Sequence, residues 1–247
     1  MKILLPPSET KRAGGSGKPL SLEKLAFSSL TPQRASIVDA LVALAADPVE
    51  ARRVLKLSER QLTDIEDNRV LRSAPTMPAV DRYTGVLFDA LDATTLDSAS
   101  RRWLGSHVWI HSAPFGLISA LDAIPAYRLA AGTSLPGIAP LRRHWAEASS
   151  AAIAQESPPF VLDLRSEAYV ALGPVPASVS SAYVRVVTDA GKALNHFNKK
   201  AKGELVRALA KDRPRLRSLA GLQEWARARD FTFRSTTDAR VIELLVK

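Results

Sequence analysis

The 247-residue sequence contains no cysteine. That absence removes disulfides, thiol nucleophiles, haem thiolate ligation, iron–sulfur clusters and cysteine zinc sites together, so any redox role is expected to be indirect. Histidine is scarce, with four residues: His107, His111, His144 and His196. His107 and His111 have the i, i+4 spacing of a helical metal pair, but they bracket Val-Trp-Ile, which favours a strand. In a strand their side chains stand about 13 Å apart, beyond the reach of one metal. No metal site and no cofactor is expected. No run approaches the roughly 20 apolar residues of a membrane span, and the start MKILLPPSE has too short an apolar stretch for a signal peptide before Pro6 and Pro7. The expected location is cytoplasmic, with no membrane contact. GxSxG, HExxH and a dinucleotide fingerprint following a strand are also missing. Gly17-Lys18 superficially fits a phosphate-binding loop, but that pattern needs Gly at 12 and Ser or Thr at 19, where Arg12 and Pro19 stand.

What is present is a chain of 46% apolar composition with mean hydropathy of −0.03. At this length a globular protein buries roughly 70 to 75% of its unfolded surface. Without an internal repeat, a low-complexity linker or a compositional break other than charge, the expectation is one mixed α/β (α+β) domain over 1–247, a central sheet flanked by helices. Charge is distributed unevenly. Of 34 Lys and Arg and 25 Asp and Glu, the last 58 residues hold 14 and 6, a net of +8, which leaves +1 for residues 1–189. A localised excess is the electrostatic footprint of a polyanion partner.

KILL (2–5) reads as a short buried strand. Apolar residues at helical spacing run from about 31 to 71, with Thr31-Pro32 and Asp47-Pro48 as start signals. The segment 103–129 suggests a strand at 107–112, a Pro114-Phe115-Gly116 turn, a short helix, and a loop to Tyr127-Arg128. FVLDLRS (160–166) reads as a strand with Ser166 placed to cap a following turn. AYVRVVTD (182–189) is another strand, and 231–246 reads as a hairpin. Asp163, Arg165, Ser166 and Glu167 cluster where a buried strand ends, the position at which α/β folds present functional groups. The same junction also needs a cap and polar residues for structural reasons. Ser8, Glu9 and Lys11 follow the first strand in the same manner.

HFNKKAKGELVRALAKDRPRLR (196–217) packs eight Lys and Arg against two acids. With Asn198 as N-cap and Pro214 as stop, Lys199, Lys200 and Lys202 fall in the first turn of a helix. Cations there oppose the helix dipole at a few tenths of a kcal/mol each. A phosphate on that terminus removes the conflict, meeting free N–H groups and three ammonium groups, with Gly203 keeping the backbone accessible. Arg207, Lys211, Arg213, Arg215 and Arg217 extend the charge as a track. Leu219-Ala-Gly221-Leu222 reads as a turn before QEWARARD, the makings of a helix-hairpin-helix that holds DNA phosphates without reading bases.

LLPPSE, YTG (83–85), LGSHVWIHSAPFGLISALDAIPAYRL, VLDLRSEAY, KKAKGELVRAL and LAGL occur in the order seen in the YaaA family of bacterial peroxide-stress proteins, which this chain resembles from residue 1 to about 245. The resemblance implies a single mixed α/β domain with a basic cleft and a helix-hairpin-helix element. It also implies binding to double-stranded DNA without strong sequence preference, and a role in limiting oxidative damage by restraining intracellular iron. The matching positions are Tyr83, Gly85, Tyr127, Arg128, Ser166, Glu167, Tyr169, Lys199, Lys200, Lys202 and Gly203. The leading expectation is a cofactor-free protein gripping the DNA phosphate backbone through Lys199 to Arg217. The alternative is an enzyme on a nucleotide-like or phosphorylated small molecule, a small anionic ligand held by Lys199, Lys200 and Lys202. There Glu167 or Asp163 acts as general base and Ser166 or Tyr169 orients the substrate.

Overall fold

The computed structural model of the protein describes residues 1–188 and 195–246, and the side chains of 195–197, His196 among them, lie outside the described residues. The strands are β1 (Lys2–Leu5), β2 (Met77–Pro78), β3 (Val108–Ser112), β4 (Gly116–Ser119), β5 (Ala123–Ile124), β6 (Val161–Asp163), β7 (Ser181–Thr188), β8 (Thr232–Ser235) and β9 (Val241–Val246). The helices are α1 (Thr31–Ala45), α2 (Pro48–Leu55), α3 (Thr63–Arg69), α4 (Ala79–Arg82), α5 (Val86–Leu91), α6 (Ser98–His107), α7 (Leu141–Gln155), α8 (Glu167–Val170), α9 (Asn195–Asp212) and α10 (Leu219–Arg227). Seven strands form one sheet in the order β4-β3-β1-β6-β7-β9-β8. The inner five are parallel, in register through Ile3 with Val108 and Leu162, Leu162 with Ala182, and Val184 with Ile242. The two edges, β4 and β8, pair antiparallel with β3 and β9.

The central strands are apolar because helices cover both faces of a parallel sheet. Ile3, Leu4, Leu5 and every residue of β3 and β6 are buried. Toward the other edge the pattern alternates: Ala182, Val184 and Val186 are buried while Tyr183 and Arg185 turn outward. The strand expected at 182–189 is thus found, with Asp189 outside the described residues. The helix starts at Pro32 and Pro48 are also found, and the Asp47 carboxylate accepts from the N–H groups of Val49 and Glu50. Among the described residues no helix is long and apolar enough to cross a membrane.

Several local expectations are corrected. The chain after Pro114-Phe115 folds back as strand β4 rather than helix, since pairing Ile110 with Ile118 buries Leu117 and Ile118 completely. Gly116 makes this turn at φ 61, and a Cβ there would lie 2.7 Å from the Trp145 ring. His107 closes helix α6 instead of opening the strand, stacked on Trp103 at 4.3 Å. Leu219–Leu222 belongs to α10, whose first turn is closed by the Gly221 N–H donating to Ser218 Oγ at 3.2 Å. The connection between α9 and α10 is therefore 213–218, and its tight first residue is Arg213 at φ 52.

The correction with most consequence concerns α9. It begins at Asn195, so Asn198 is inside the helix and Lys199, Lys200 and Lys202 lie beyond its first turn. Ala201, Leu205, Val206, Leu209 and Ala210 bury one side of it. Gly203 is where α9 meets α5: a Cβ at 203 would lie 2.2 Å from the Leu87 carbonyl oxygen and 2.8 Å from Ala90 Cβ. The glycine sets helix packing and does not hold backbone open to a ligand.

Candidate functional site

Beside β1 the strand order reverses: the chain passes from β1 to β3 on one side and later to β6 and β7 on the other. Open α/β sheets bind ligands in the crevice at the carboxyl ends of the strands at such a point. Here the residues after β1 and after β6 border two adjoining cavities of about 770 and 440 Å³, which share Pro6, Val86, Leu87, Ser166 and Lys199. The larger extends to Glu167, Tyr183, Asn198 and Lys202. The smaller extends to Ser8, Glu9, Thr10, Gly85 and Tyr169. The two strand-end clusters and the start of the basic segment thus face one cleft. Gly85 fits there at φ 92, with space for a Cβ limited to 3.2 Å from Thr10 Oγ1 and 3.3 Å from Ser8 Oγ.

Asp163 is not poised as a base. Its Oδ1 accepts from the Arg165 N–H (3.1 Å) and Nε (2.9 Å), and its Oδ2 accepts from Nη2 at 2.6 Å. Both groups are buried, and Arg165 Nη1 donates onward to the Gly173 carbonyl (2.9 Å) and to His111 Nδ1 (2.8 Å). Burial, then Arg165, holds the His111 imidazole far below its usual protonation range. With Nδ1 accepting, Nε2 carries the proton, and it has no partner among the described residues. This network ties β6 to β3 and leaves Ser166 and Glu167 as the exposed polar groups of the junction.

The three lysines diverge. Lys199 is exposed and borders both cavities. Lys200 is exposed beside Glu204 at 3.7 Å. Lys202 is 5% exposed, with Nζ 5.8 Å from the centre of the Tyr183 ring and no hydrogen bond or ion pair among the described residues. Burial pulls its pKa down to about 8, and Asp163 opposes the shift. Asn198, one turn before Lys202, has a buried Oδ1 without a partner among the described residues. Placing the helix start three residues earlier would have put both on one face in the sequence pattern.

Tyr83, Tyr127 and Arg128 lie behind the cleft. Tyr83 and Tyr127 share a hydrogen bond of 2.8 Å, Ser112 Oγ donates to Tyr127 at 3.0 Å, and burial raises the pKa of both phenols. Lys11 packs on the Tyr127 ring at 4.1 Å and donates to the carbonyls of Ser8 and Glu9 at 3.1 and 3.2 Å. Burial, then Arg128, lowers it to about 7. Arg128 reaches Glu9 at 3.2 Å, while Asn68 brackets its backbone through N–H and carbonyl. These groups shape the 8–11 loop. Ser112 and Asn68 carry no sequence signal, because their partners lie far along the chain.

The rest of the basic segment faces elsewhere. Arg207 donates to the carbonyls of Leu91 and Asp92, both at 2.8 Å, and so clamps the end of α5. Arg213, Arg215 and Arg217 border a separate groove of about 400 Å³ with Trp103 and His107. Arg213 touches Ser100 at 3.0 Å, whereas Lys211, Arg215 and Arg217 are exposed without an ion pair among the described residues.

The sequence profile of the family described as "Peroxide stress protein YaaA" matches residues 1–237. A UPF0246 protein of Corynebacterium glutamicum is 47% identical over 215 residues, covering 85% of each chain. One from Corynebacterium efficiens is 46% identical over 226 residues, 90% of this chain and 89% of that one. A Streptomyces coelicolor UPF0246 protein is 41% identical over 215 residues, 85% of this chain and 82% of its own. With the profile spanning nearly the whole fold, cleft and basic segment included, the chain belongs to the peroxide stress protein YaaA family.

Proposed function

We propose that the protein acts in the peroxide-stress response by binding double-stranded DNA through its phosphates. The observation that carries this reading is the run of exposed cations Lys211, Arg215 and Arg217, with Arg213 beside them, at the end of α9 and in the following connection. Each such contact releases condensed counterions without reading a base. Ferrous iron is one of the cations that phosphates hold, so covering the backbone displaces iron from the place where it would reduce peroxide to a hydroxyl radical beside the DNA. Lys199 and Lys200 extend the grip, while Lys202, Gly203 and Arg207 serve the fold and the cleft. Fluorescence anisotropy of a labelled duplex across a salt series tests this. Removing Arg213, Arg215 and Arg217 together lowers the slope of log K against log salt by about 0.9 per lost phosphate contact. An unchanged slope, or no binding at low salt, overturns it.

A second reading, a small phosphorylated or nucleotide-like ligand in the cleft, is favoured by Lys199 at its mouth, Lys202 at its floor and Ser166 and Glu167 on its wall. With Asp163 engaged by Arg165, Glu167 is the general base of that reading. A nucleotide and sugar-phosphate panel that leaves the thermal midpoint unmoved counts against it.

A further inference from the structure

Among the described residues Lys202 has no hydrogen bond or ion pair, and its Nζ lies 5.8 Å from the Tyr183 ring centre. A buried ammonium without a carboxylate or carbonyl is costly, and the nearby acid, Asp163, is bound on both oxygens by Arg165. The side chain borders the 770 Å³ cavity, near the Tyr183 ring, in a lining it shares with Ser166 and Glu167. Holding phosphate is better done by a solvated head such as Lys199. A desolvated amine without a counter-ion is instead suited to nucleophilic addition.

We propose that the cleft is a catalytic site for a small anionic aldehyde or ketone, with Lys202 forming an imine to its carbonyl carbon and Lys199 holding the anionic group. This rests on the small-ligand reading of the cleft. The Lys202 ammonium first gives a proton to the Glu167 carboxylate, and the neutral Nζ then attacks the carbonyl carbon; the C–N bond forms as the C=O π pair moves to oxygen, which takes that proton from Glu167. Nitrogen then returns a proton to the Glu167 carboxylate. The carbinolamine hydroxyl, reprotonated by Glu167, leaves as water, and the nitrogen lone pair closes the protonated C=N bond. Carbonyl compound and ammonium go to iminium and water, with no oxidant or reductant. The lowered pKa of Lys202 keeps part of the amine neutral near pH 7.5.

The test uses the full chain with pyridoxal 5′-phosphate as the probe aldehyde, borohydride reduction and peptide mass mapping. Pyridoxine 5′-phosphate, which has the phosphate and lacks the aldehyde, is the binding control. The expected result is one reduced adduct per chain at Lys202, formed roughly tenfold or more faster than at Lys199 or Lys200, as a desolvated nucleophile beside the cavity requires. Lys11, closed in by the Ser8 and Glu9 carbonyls, stays unlabelled. Lys202→Met, checked for native circular dichroism, loses the adduct. Label spread over exposed lysines, equal in wild type and Lys202→Met, overturns the proposal. Binding of the control without an imine at Lys202 refutes the imine and leaves the anion-binding reading standing. Binding of neither compound refutes both.

Discussion

Lys202, inside α9, and Arg215, beyond its end, belong to the same basic run but live in different dielectrics. Lys202 is buried with no hydrogen bond or ion pair among the described residues, its charge held at a cost; Arg215 is solvated and costs the fold nothing. In the inner half of the run, charge is a chemical property of a cleft. In the outer half it is a surface property suited to a polyelectrolyte. The net charge of a segment therefore conceals two environments that burial separates.

The sharpest way to break this contrast starts with the buried Asp163–Arg165 pair behind the strand-end junction. Asp163→Asn strips Arg165 of its counter-ion while both remain buried, so about 3 to 5 kcal/mol of stability is lost, measurable by urea unfolding. Lys202→Met acts in the opposite direction. The folded pKa near 8 lies below the ordinary 10.5, so the unfolded chain binds more protons between those values. The penalty is complete below pH 8 and fades as pH rises toward 10.5. The variant is therefore more stable than wild type at pH 7 by up to about 3 kcal/mol, and the two unfolding curves converge at high pH. Gly203→Ala follows: in an exposed helix this change gains about 1 kcal/mol, but against the Leu87 carbonyl it costs about 1 to 3 kcal/mol. A rise in thermal midpoint would show that the α5–α9 approach is looser than described. Arg215→Ala and Arg217→Ala are smallest, within about 0.5 kcal/mol on stability, and each lowers the DNA salt slope by about 0.9.

Much of the frame was legible because local signals agreed with it. KILL and VLD are continuous apolar runs, as doubly covered strands must be, and Asp47-Pro48 and Pro214 mark helix limits by backbone chemistry alone. The meeting of Ser8–Glu9 with Ser166–Glu167 followed from strand ends at one side of a sheet. What was not legible depends on residues remote in sequence. Asn198 has the intrinsic preference of a cap, but packing of Ala201, Leu205 and Gly203 extends the helix through it. Arg207 looked like part of a phosphate track until the Leu91 and Asp92 carbonyls came beside it. Lys200 and Lys202 are two positions apart on one helix, so they face different ways, one into solvent and one into the cleft.

The contact at Gly203 also fixes what the cleft can admit. Val86 and Leu87 of α5 form one jaw and Lys199 and Lys202 of α9 the other, and the helices touch at backbone so closely that a methyl group would not fit. Jaws joined at their base in this way cannot slide apart to suit a larger guest. Under the small-ligand reading the opening would work as a fixed gauge, selecting by size before charge is read. Diversifying the ligand among related chains would have to proceed through the 8–10 and 166–169 rims, with the hinge side held constant.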